Sequence, residues 1–240
     1  MNEFDAYVET YDCACQRGLS LTGEDRDYYA RRRVAITRTL CSDPAGVRQI
    51  IDFGCGLGHT APLLLSAFPN ASVLGIDNSR ETIERACLAY GSKRVSFTCD
   101  DGDWPVADAD LIYCNGVFHH IPKADRPPVV DRLLASVRPG GVFALWENNP
   151  WNPGTRLVMR RIPFDRDAIT LSYREASALV RDAGFCVDKA TFHFYFPALL
   201  NFLRSAEPLL STIPLGGQYC VLARRPVCAR SAMHEPLALA

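Results

Sequence analysis

The sequence predicts an α/β protein built on a doubly wound, mostly parallel β-sheet. Apolar segments of strand length alternate with segments of helical periodicity from residue 48 to 147, which is typical of right-handed βαβ units. A glycine-rich loop, within the stretch IIDFGCGLGHT (50–60), directly follows the first apolar segment. The chain has 240 residues, 48% of them hydrophobic, and this suffices for one large core.

The individual elements follow from periodicity, turn residues and helix-start signals. Capping-box patterns at Asn78/Glu81 and Ser172/Glu175 indicate two helix starts. Helices are predicted at 25–40, 59–68, 78–90, 124–141 and 172–185. Strands are predicted at 48–53, 72–77, 94–99, 109–115, 141–147, 186–196 and 217–225.

Three regions are expected along the chain. Residues 1–40 form an N-terminal helical cap, 41–228 form the main domain, and 229–240 form a flexible tail. Two excursions interrupt the main domain, at about 148–171 and 196–216. The second is an apolar insertion before the last strand, too long for a hairpin turn. Both excursions can lie over the edge of the sheet where ligands of such folds bind.

Composition excludes several classes of function. The net charge of −1 gives no general electrostatic reason to bind nucleic acid. No apolar run reaches the length of a membrane span, so stable membrane insertion is not expected. The N-terminus lacks the apolar core of a signal peptide, so we expect a cytoplasmic protein with reduced thiols. The ten cysteines contain no CxxC pair, and no metal site is expected.

The glycine loop fits neither of two common nucleotide-binding patterns. A P-loop requires Lys and Ser/Thr after its last glycine, but His59 and Thr60 follow Gly58. A dinucleotide fingerprint requires glycine at the sixth position, which His59 occupies when Gly54 is the first. A purely structural turn is the alternative reading. The pattern present is Asp52-x-Gly54-x-Gly56-x-Gly58.

Polar groups also end the following strands. Asp77 closes the second strand, where a carboxylate can accept hydrogen bonds from both hydroxyls of a ribose. The third strand ends in the acidic stretch FTCDDGDWP (97–105), and the fourth in YCNGVFHHIP (113–122). Because carboxyl ends of parallel strands meet at one edge, these groups are expected to share a site.

With these motifs the chain resembles the class I S-adenosylmethionine-dependent methyltransferases, from about Arg48 to Glu147 and more loosely to Arg225. The carrying motifs are IIDFGCGLGHT, LGIDNS, FTCDDGDWP, LIYCNGVFHHIP and LLASVRPGGVFAL. The resemblance implies a Rossmann-like seven-stranded sheet of order 3-2-1-4-5-7-6 with the last strand antiparallel. It also implies S-adenosyl-L-methionine as cofactor.

The resemblance further assigns roles at the cofactor site. The glycine loop surrounds the methionine part, Asp77 holds the ribose, and Asn115 lies near the methionine end. The family often has glycine before its adenine-binding aspartate, whereas this chain has Asp100 before Asp101, so either could meet adenine. A cation for the cofactor carboxylate is expected from the N-terminal helix, where Arg31 and Arg33 are candidates. The expected cofactor-binding set is Asp52, Gly54, Gly56, Gly58, Asp77, Asn78, Asp100, Asp101, Gly102, Asn115 and Arg31.

Methyl transfer is an in-line displacement for which the protein mainly positions a nucleophile. A hydroxyl nucleophile also benefits from a base, and His119 and His120 follow the fourth strand near the expected methyl group. The alternative is that both histidines are structural. The methylated atom stays open, with oxygen or nitrogen favoured.

The acceptor is expected to be a small molecule with an apolar or aromatic body. The apolar residues of the two excursions could line its pocket, and Arg160, Arg161 and Arg166 could meet an acidic group on it. The alternative is that the apolar insertion packs on its own domain or on a second copy in a homodimer. Other functions weighed are a non-catalytic cofactor-binding protein and a protein or nucleic-acid methyltransferase. The expected acceptor-binding residues are Trp151, Phe164, Leu199 and Phe202.

Overall fold

The computed structural model describes residues 11–101, 108–166 and 168–227. The first ten residues of the predicted cap, Gly102 and the predicted tail at 229–240 lie outside the described residues. The described chain forms a seven-stranded sheet with the order 3-2-1-4-5-7-6. The strands are β1 (Gln49–Phe53), β2 (Ser72–Asp77), β3 (Val95–Cys99), β4 (Ala109–Asn115), β5 (Val137–Asn148), β6 (Cys186–His193) and β7 (Gln218–Arg224).

The sheet is parallel except at its last strand. β1 pairs in parallel with β2 and with β4, whereas β7 runs antiparallel to both β5 and β6. This confirms the fold class and strand order expected from the resemblance. Since strand order reverses between β1 and β4, their carboxyl ends open a crevice that can receive a ligand.

Helices flank the sheet on both sides. Short 3₁₀ turns connect several of them, and a longer one covers Ala198–Ala206. The α-helices are α1 (Tyr11–Leu19), α2 (Arg26–Leu40), α3 (Ala61–Ala67), α4 (Arg80–Tyr90), α5 (Arg126–Ser136), α6 (Pro153–Arg161), α7 (Tyr173–Asp182) and α8 (Glu207–Leu210). None of the helices in the described part of the chain is both long and apolar enough to cross a membrane.

Successive side chains of the central strands enter opposite halves of the core. Ile51 belongs to the buried cluster with residues of α5 and α7, whereas Ile50 belongs to the cluster with residues of α2 and α3. This burial on both faces explains why the strands are continuous apolar runs rather than alternating ones. A buried hydrogen bond of 2.9 Å from Trp146 Nε1 to Thr37 Oγ1 fixes α2 against β5.

Two local predictions differ from the structure. α4 is capped by Ser79, whose hydroxyl accepts from the amide of Thr82, and not by Asn78 with Glu81. The capping box at Ser172 and Glu175 is confirmed. α5 ends at Ser136 and β5 begins at Val137, four residues before the predicted strand start, because Val137 already pairs with Ala109 of β4.

Candidate active site

The glycine loop connects β1 to α3 with three residues in the left-handed region. Gly54, Gly56 and Gly58 have φ angles of +72°, +50° and +78°. A Cβ on Gly54 would collide with the side chain of Val117, whereas a Cβ on Gly56 would meet nothing within 4 Å. Gly56 therefore borders open space, and the loop forms a cradle that a larger side chain would fill.

Asp52 is the penultimate residue of β1 and lies beneath this loop. Its carboxylate is only partly hydrogen-bonded. Its side chain is 2% exposed, and within the described chain its Oδ2 has no hydrogen-bond partner. Burial and the neighbouring Asp77 raise the pKa of Asp52 to about 7, and Arg33 partly opposes them. Such a carboxylate is ready to accept hydrogen bonds from a cationic ligand group.

Asp77 ends β2 and holds the glycine loop in shape. Its Oδ2 accepts from the amide of Gly56 at 2.8 Å, and its Oδ1 accepts from the amide of Ser79 at 3.0 Å. Burial raises the pKa of Asp77, and these hydrogen bonds oppose that effect. The neighbouring Asn78 is exposed at the mouth of the site.

The two aspartates after β3 differ in their surroundings. Arg132 on α5 binds both oxygens of Asp100, at 2.9 and 3.1 Å, whereas the next residue, Asp101, is exposed. Because Asp100 is already held by a bidentate ion pair, Asp101 is the better placed of the two for a ligand.

The two arginines proposed for the cofactor carboxylate lie on different faces of α2. The side chain of Arg31 is 59% exposed and pairs with Asp27 at 4.0 Å. Arg33 is buried, and it donates to Tyr113 Oη at 3.4 Å and to Gln218 Oε1 at 3.0 Å. Arg33 lines the cavity described below, and Arg31 is not among the lining residues. The helical period of 3.6 residues separates their faces, so Arg33 replaces Arg31 as the candidate.

The residues present fit S-adenosylmethionine. Asn115, which ends β4, has a buried Oδ1 for which the described residues supply no hydrogen-bond partner. Together with Asp52 Oδ2 it offers two unsatisfied acceptors, which match the donors of an ammonium group. The open space at Gly56 and the carboxylate of Asp77 complete a cradle of suitable polarity.

His119 is enclosed by two carboxylates. Its Nδ1 lies 2.6 Å from Glu147 Oε2, and its Nε2 lies 3.5 Å from Asp165 Oδ1. Burial lowers the pKa of His119, but Glu147 and Asp165 together outweigh burial and raise it to about 10. A histidine that retains its proton at neutral pH is poorly suited to act as the expected base.

His120 is the more accessible of the two histidines. Its side chain is 18% exposed, and its Nε2 lies 3.3 Å from Asp165 Oδ1. Its ring also lies 4.1 Å from that of His119, measured between ring centroids. The expected role of His120 as a base thus stays a prediction, with Asp165 as its immediate neighbour.

A cavity of about 510 Å³ lies beside Asn115 and Gly116, at the carboxyl end of β4. Its wall includes Asn115, Gly116, both histidines and Asp165, and it carries two arginines, Arg26 and Arg33. The apolar part of the wall includes Leu19, Leu21, Leu157, Val158, Ile162, Phe164, Phe194 and Phe196.

Hydrogen bonds attach both excursions to neighbouring segments around this cavity. Thr155 of the first excursion donates to the carbonyl of Gly217, just before β7, at 2.7 Å. Arg204 of the second donates to Glu24 at 2.7 Å, which ties the apolar insertion to the N-terminal helices.

Of the four residues expected to bind the acceptor, Phe164 lines the cavity. Trp151 packs edge-on against Tyr173 instead. Leu199 and Phe202 are 87% and 70% exposed. Their helical segment directs these side chains outward, while Phe194 and Phe196 just before it reach the cavity. The expected cations Arg160, Arg161 and Arg166 are exposed, and they are not among the lining residues.

Several site residues were not predicted. Glu147 lies at the carboxyl end of β5, one residue before its last, as Asp52 does in β1, so the strand-end pattern could have indicated it. Arg26 and Asp165 lie in segments outside the sheet, and their approach to the cavity depends on tertiary packing that no local pattern specifies.

Comparisons with known proteins agree with this geometry. Residues 50–141 match the family described as a methyltransferase domain. Trans-aconitate 2-methyltransferase of Azoarcus sp. (strain BH72) is 32% identical over 149 residues, covering 59% of this chain and 57% of the relative. The corresponding enzyme of Variovorax paradoxus (strain S110) is 33% identical over 116 residues, covering 48% of this chain and 44% of the relative. The chain thus spans about half the length of the relatives it matches.

Two solved structures share the fold at low identity. A methyltransferase in complex with the Haloferax volcanii Trm112 activator has a TM-score of 0.65 and 20% identity, covering 94% of this chain and 99% of that one. A TehB-like S-adenosylmethionine-dependent methyltransferase from Corynebacterium glutamicum has a TM-score of 0.61 and 17% identity, covering 92% and 99%.

The fold is that of the class I methyltransferases, and residues 50–141 match the methyltransferase-domain family. This confirms the recognition made from the sequence motifs. S-adenosylmethionine is the cofactor of this type of domain, in agreement with the cofactor expected from the sequence.

Proposed function

We propose that the chain transfers a methyl group from S-adenosylmethionine to a small-molecule acceptor that carries a carboxylate beside an apolar body. The observation that carries the proposal is the cavity next to Asn115 and Gly116, whose wall combines apolar side chains with the guanidinium group of Arg26. A guanidinium group in such a wall favours a carboxylate, because it binds the carboxylate oxygens through directed, charge-assisted hydrogen bonds.

The cofactor would occupy the cradle above β1 and β2. Asp52 and Asn115 would accept from its ammonium group, and Arg33 would pair with its carboxylate. Asp77 would accept from the ribose hydroxyls, and Asp101 from the adenine amino group. This orientation directs the methyl group toward the cavity, since the methionine end lies at Asn115.

A carboxylate acceptor also suits the histidine environment. Its oxygen is already anionic, so methyl transfer requires no base: the O–C bond forms, the C–S bond breaks, and the electron pair stays on sulfur. The high pKa of His119 therefore presents no obstacle to such a reaction. A hydroxyl acceptor would instead depend on His120.

The relatives support an acidic acceptor. Those matched are named for methylation of trans-aconitate, an organic carboxylate, although the chain spans only about half of their length. From these relatives we infer only the chemical class of the acceptor, a carboxylic acid, and not which acid it is. The expectations of no nucleic-acid partner, a homodimer and a cytoplasmic location stay predictions.

The test is steady-state kinetics of methyl transfer to a panel of small carboxylic acids, with trans-aconitate included and an amide analogue for each acid. Arg26→Gln should raise the KM of the preferred acid about tenfold or more, as expected for loss of a charge-assisted hydrogen bond. Arg31→Gln is the matched control from the exposed face of the same helix, and it should leave KM unchanged.

Two results would count against the proposal. If the amide analogues are methylated with the same efficiency as the acids, Arg26 does not select a carboxylate. If the cofactor binds tightly but is never consumed with any acceptor, the chain is a cofactor-binding protein without transferase activity.

A further inference from the structure

Three side chains of types that can ligate a metal meet at one point of the cavity wall. They are those of His119, His120 and Asp165. In each, one ligand atom lies within 4.8 Å of those of the other two. His119 and His120 belong to the 3₁₀ turn after β4, and Asp165 ends the 3₁₀ turn Pro163–Asp165 of the first excursion. All three line the cavity, so the point they surround can be reached by a small ligand.

The distances suit joint coordination of one ion. Asp165 Oδ1 lies 3.5 Å from His119 Nε2 and 3.3 Å from His120 Nε2. At these distances Asp165 is also within reach of an ion pair with each histidine ring. Two ligand atoms at about 2.0–2.1 Å from a tetrahedral zinc ion are about 3.4 Å apart, which agrees with both values.

Glu147 orients the ring of His119. In protein metal sites a carboxylate often has this role, because it accepts from the ring nitrogen that does not bind the metal. Glu147 Oε2 lies 2.6 Å from His119 Nδ1, and Glu147 Oε1 accepts from the amide of Phe118 at 2.8 Å. The Nδ1 hydrogen is thereby committed to Glu147, which leaves Nε2 as the atom that faces Asp165. A carboxylate behind the histidine both fixes the ring and strengthens it as a ligand.

The backbone fixes the excursion against the histidine turn. The amide of Ile169 donates to the carbonyl of His119 at 2.8 Å. Arg126 then links the two segments, with hydrogen bonds to the carbonyls of Ile121 at 2.9 Å and Ile169 at 2.5 Å. Asp165 and the two histidines come from segments far apart in sequence, and these hydrogen bonds hold the two segments next to each other.

We propose that His119, His120 and Asp165 form a binding site for one divalent transition-metal ion of the zinc type, with an open position directed into the cavity. Two imidazoles and one carboxylate are ligands suited to such ions, and three protein ligands leave a coordination position for an oxygen ligand. The carboxylates of Asp165 and Glu147 balance the charge of the ion.

The site goes beyond the proposed methyl transfer, because metal binding requires neither cofactor nor acceptor. An ion at this position would bind an oxygen of whatever molecule enters the cavity, and so add a third cationic group to the two arginines. Its presence can therefore be tested without any assay of activity.

The test is titration of the purified, metal-stripped chain with zinc by calorimetry, repeated with cobalt and followed by absorbance. We expect one equivalent to bind, with a cobalt spectrum that lacks thiolate-to-cobalt bands, since the ligands are nitrogen and oxygen. His120→Ala and Asp165→Asn should each lower the affinity by more than tenfold, and Glu147→Gln by about ten- to a hundred-fold.

His193→Ala is the matched control, because His193 contacts Thr191 at 2.8 Å in β6 and lies outside the cluster. It should bind zinc as the unchanged chain does. The proposal is overturned if the unchanged chain binds no zinc, if His120→Ala binds it equally well, or if thiolate bands show that cysteines hold the metal. His120 is less buried than His119, so His120→Ala is expected to fold even if variants of the more buried residues do not. The test therefore stays decisive.

Discussion

If Asp52 accepts from the ammonium group of the cofactor as proposed, cofactor binding should depend on pH. With a pKa of about 7, Asp52 is mostly protonated at pH 6 and mostly ionised at pH 8 in the cofactor-free chain. The ammonium group of the cofactor requires the ionised form. The ionised fraction falls from about nine-tenths to about one-tenth over these two pH units, so Asp52 alone should weaken binding about tenfold.

Asp52→Asn isolates this contribution. At pH 8 the substitution removes a charge-assisted hydrogen bond worth about 1.5–3 kcal/mol, so the variant should bind about ten- to a hundred-fold more weakly. At pH 6 most of the unchanged chain lacks the charge as well. The ratio of the two dissociation constants should therefore shrink by about tenfold between pH 8 and pH 6.

The assay is calorimetric titration of both proteins with S-adenosylmethionine and with its demethylated product at several pH values. Titration of the cofactor's own amino group affects both proteins equally and cancels in the ratio. A ratio that stays constant from pH 6 to pH 8 would refute the assignment of Asp52 to the ammonium group. Chemical unfolding of the variant at each pH checks that the fold is retained.

Three further predictions concern the loop, the ribose site and the apolar insertion. Gly56→Val places a branched side chain in the open cradle and should abolish cofactor binding in calorimetry, while backbone strain lowers the free energy of unfolding by only about 1–2 kcal/mol. Asp77→Ala should weaken cofactor binding at least tenfold, because it removes acceptors for the ribose as well as the contact with the amide of Gly56. Phe202→Ser should leave the acceptor's KM unchanged within about twofold, because Phe202 is 70% exposed and lies outside the cavity. A loss of dimers in Phe202→Ser during size-exclusion chromatography would instead identify the insertion as an oligomer interface.

The sheet could be predicted from the sequence because its determinants are local. Strand-length apolar runs, helix caps and the glycine loop each depend on a few neighbouring residues, and the parallel topology follows from their alternation. Asp52, Asp77 and Asn115 could be predicted as site residues for the same reason. Each lies in the last two residues of a strand, and parallel strands bring their carboxyl ends to one edge of the sheet.

The cavity wall could not be predicted in the same way. Whether Arg31 or Arg33 faces inward depends on the rotation of α2, which the buried contact between Thr37 and Trp146 sets. The approach of Asp165 to His119 depends on how the first excursion folds back over the sheet. Such contacts join residues tens of positions apart and leave no periodic signal in the sequence.

The acceptor side shows a related limit of sequence patterns. The apolar residues of the insertion indicated burial, but Leu199 and Phe202 lie on its outer side. Apolar residues can be exposed in a 3₁₀ segment, and composition alone does not tell which face packs inward. The aromatic residues just before that segment, Phe194 and Phe196, reach the cavity instead.

The central claim, methyl transfer to an acidic small molecule, is tested most directly by the fate of a labelled methyl group. The chain would be incubated with methyl-labelled S-adenosylmethionine and the carboxylic acid panel, and the products analysed by mass spectrometry before and after alkaline hydrolysis. We expect a labelled acid whose label is released as methanol on hydrolysis, because the product is a methyl ester. Label that stays bound after hydrolysis, or that appears only on protein or nucleic acid, would contradict it.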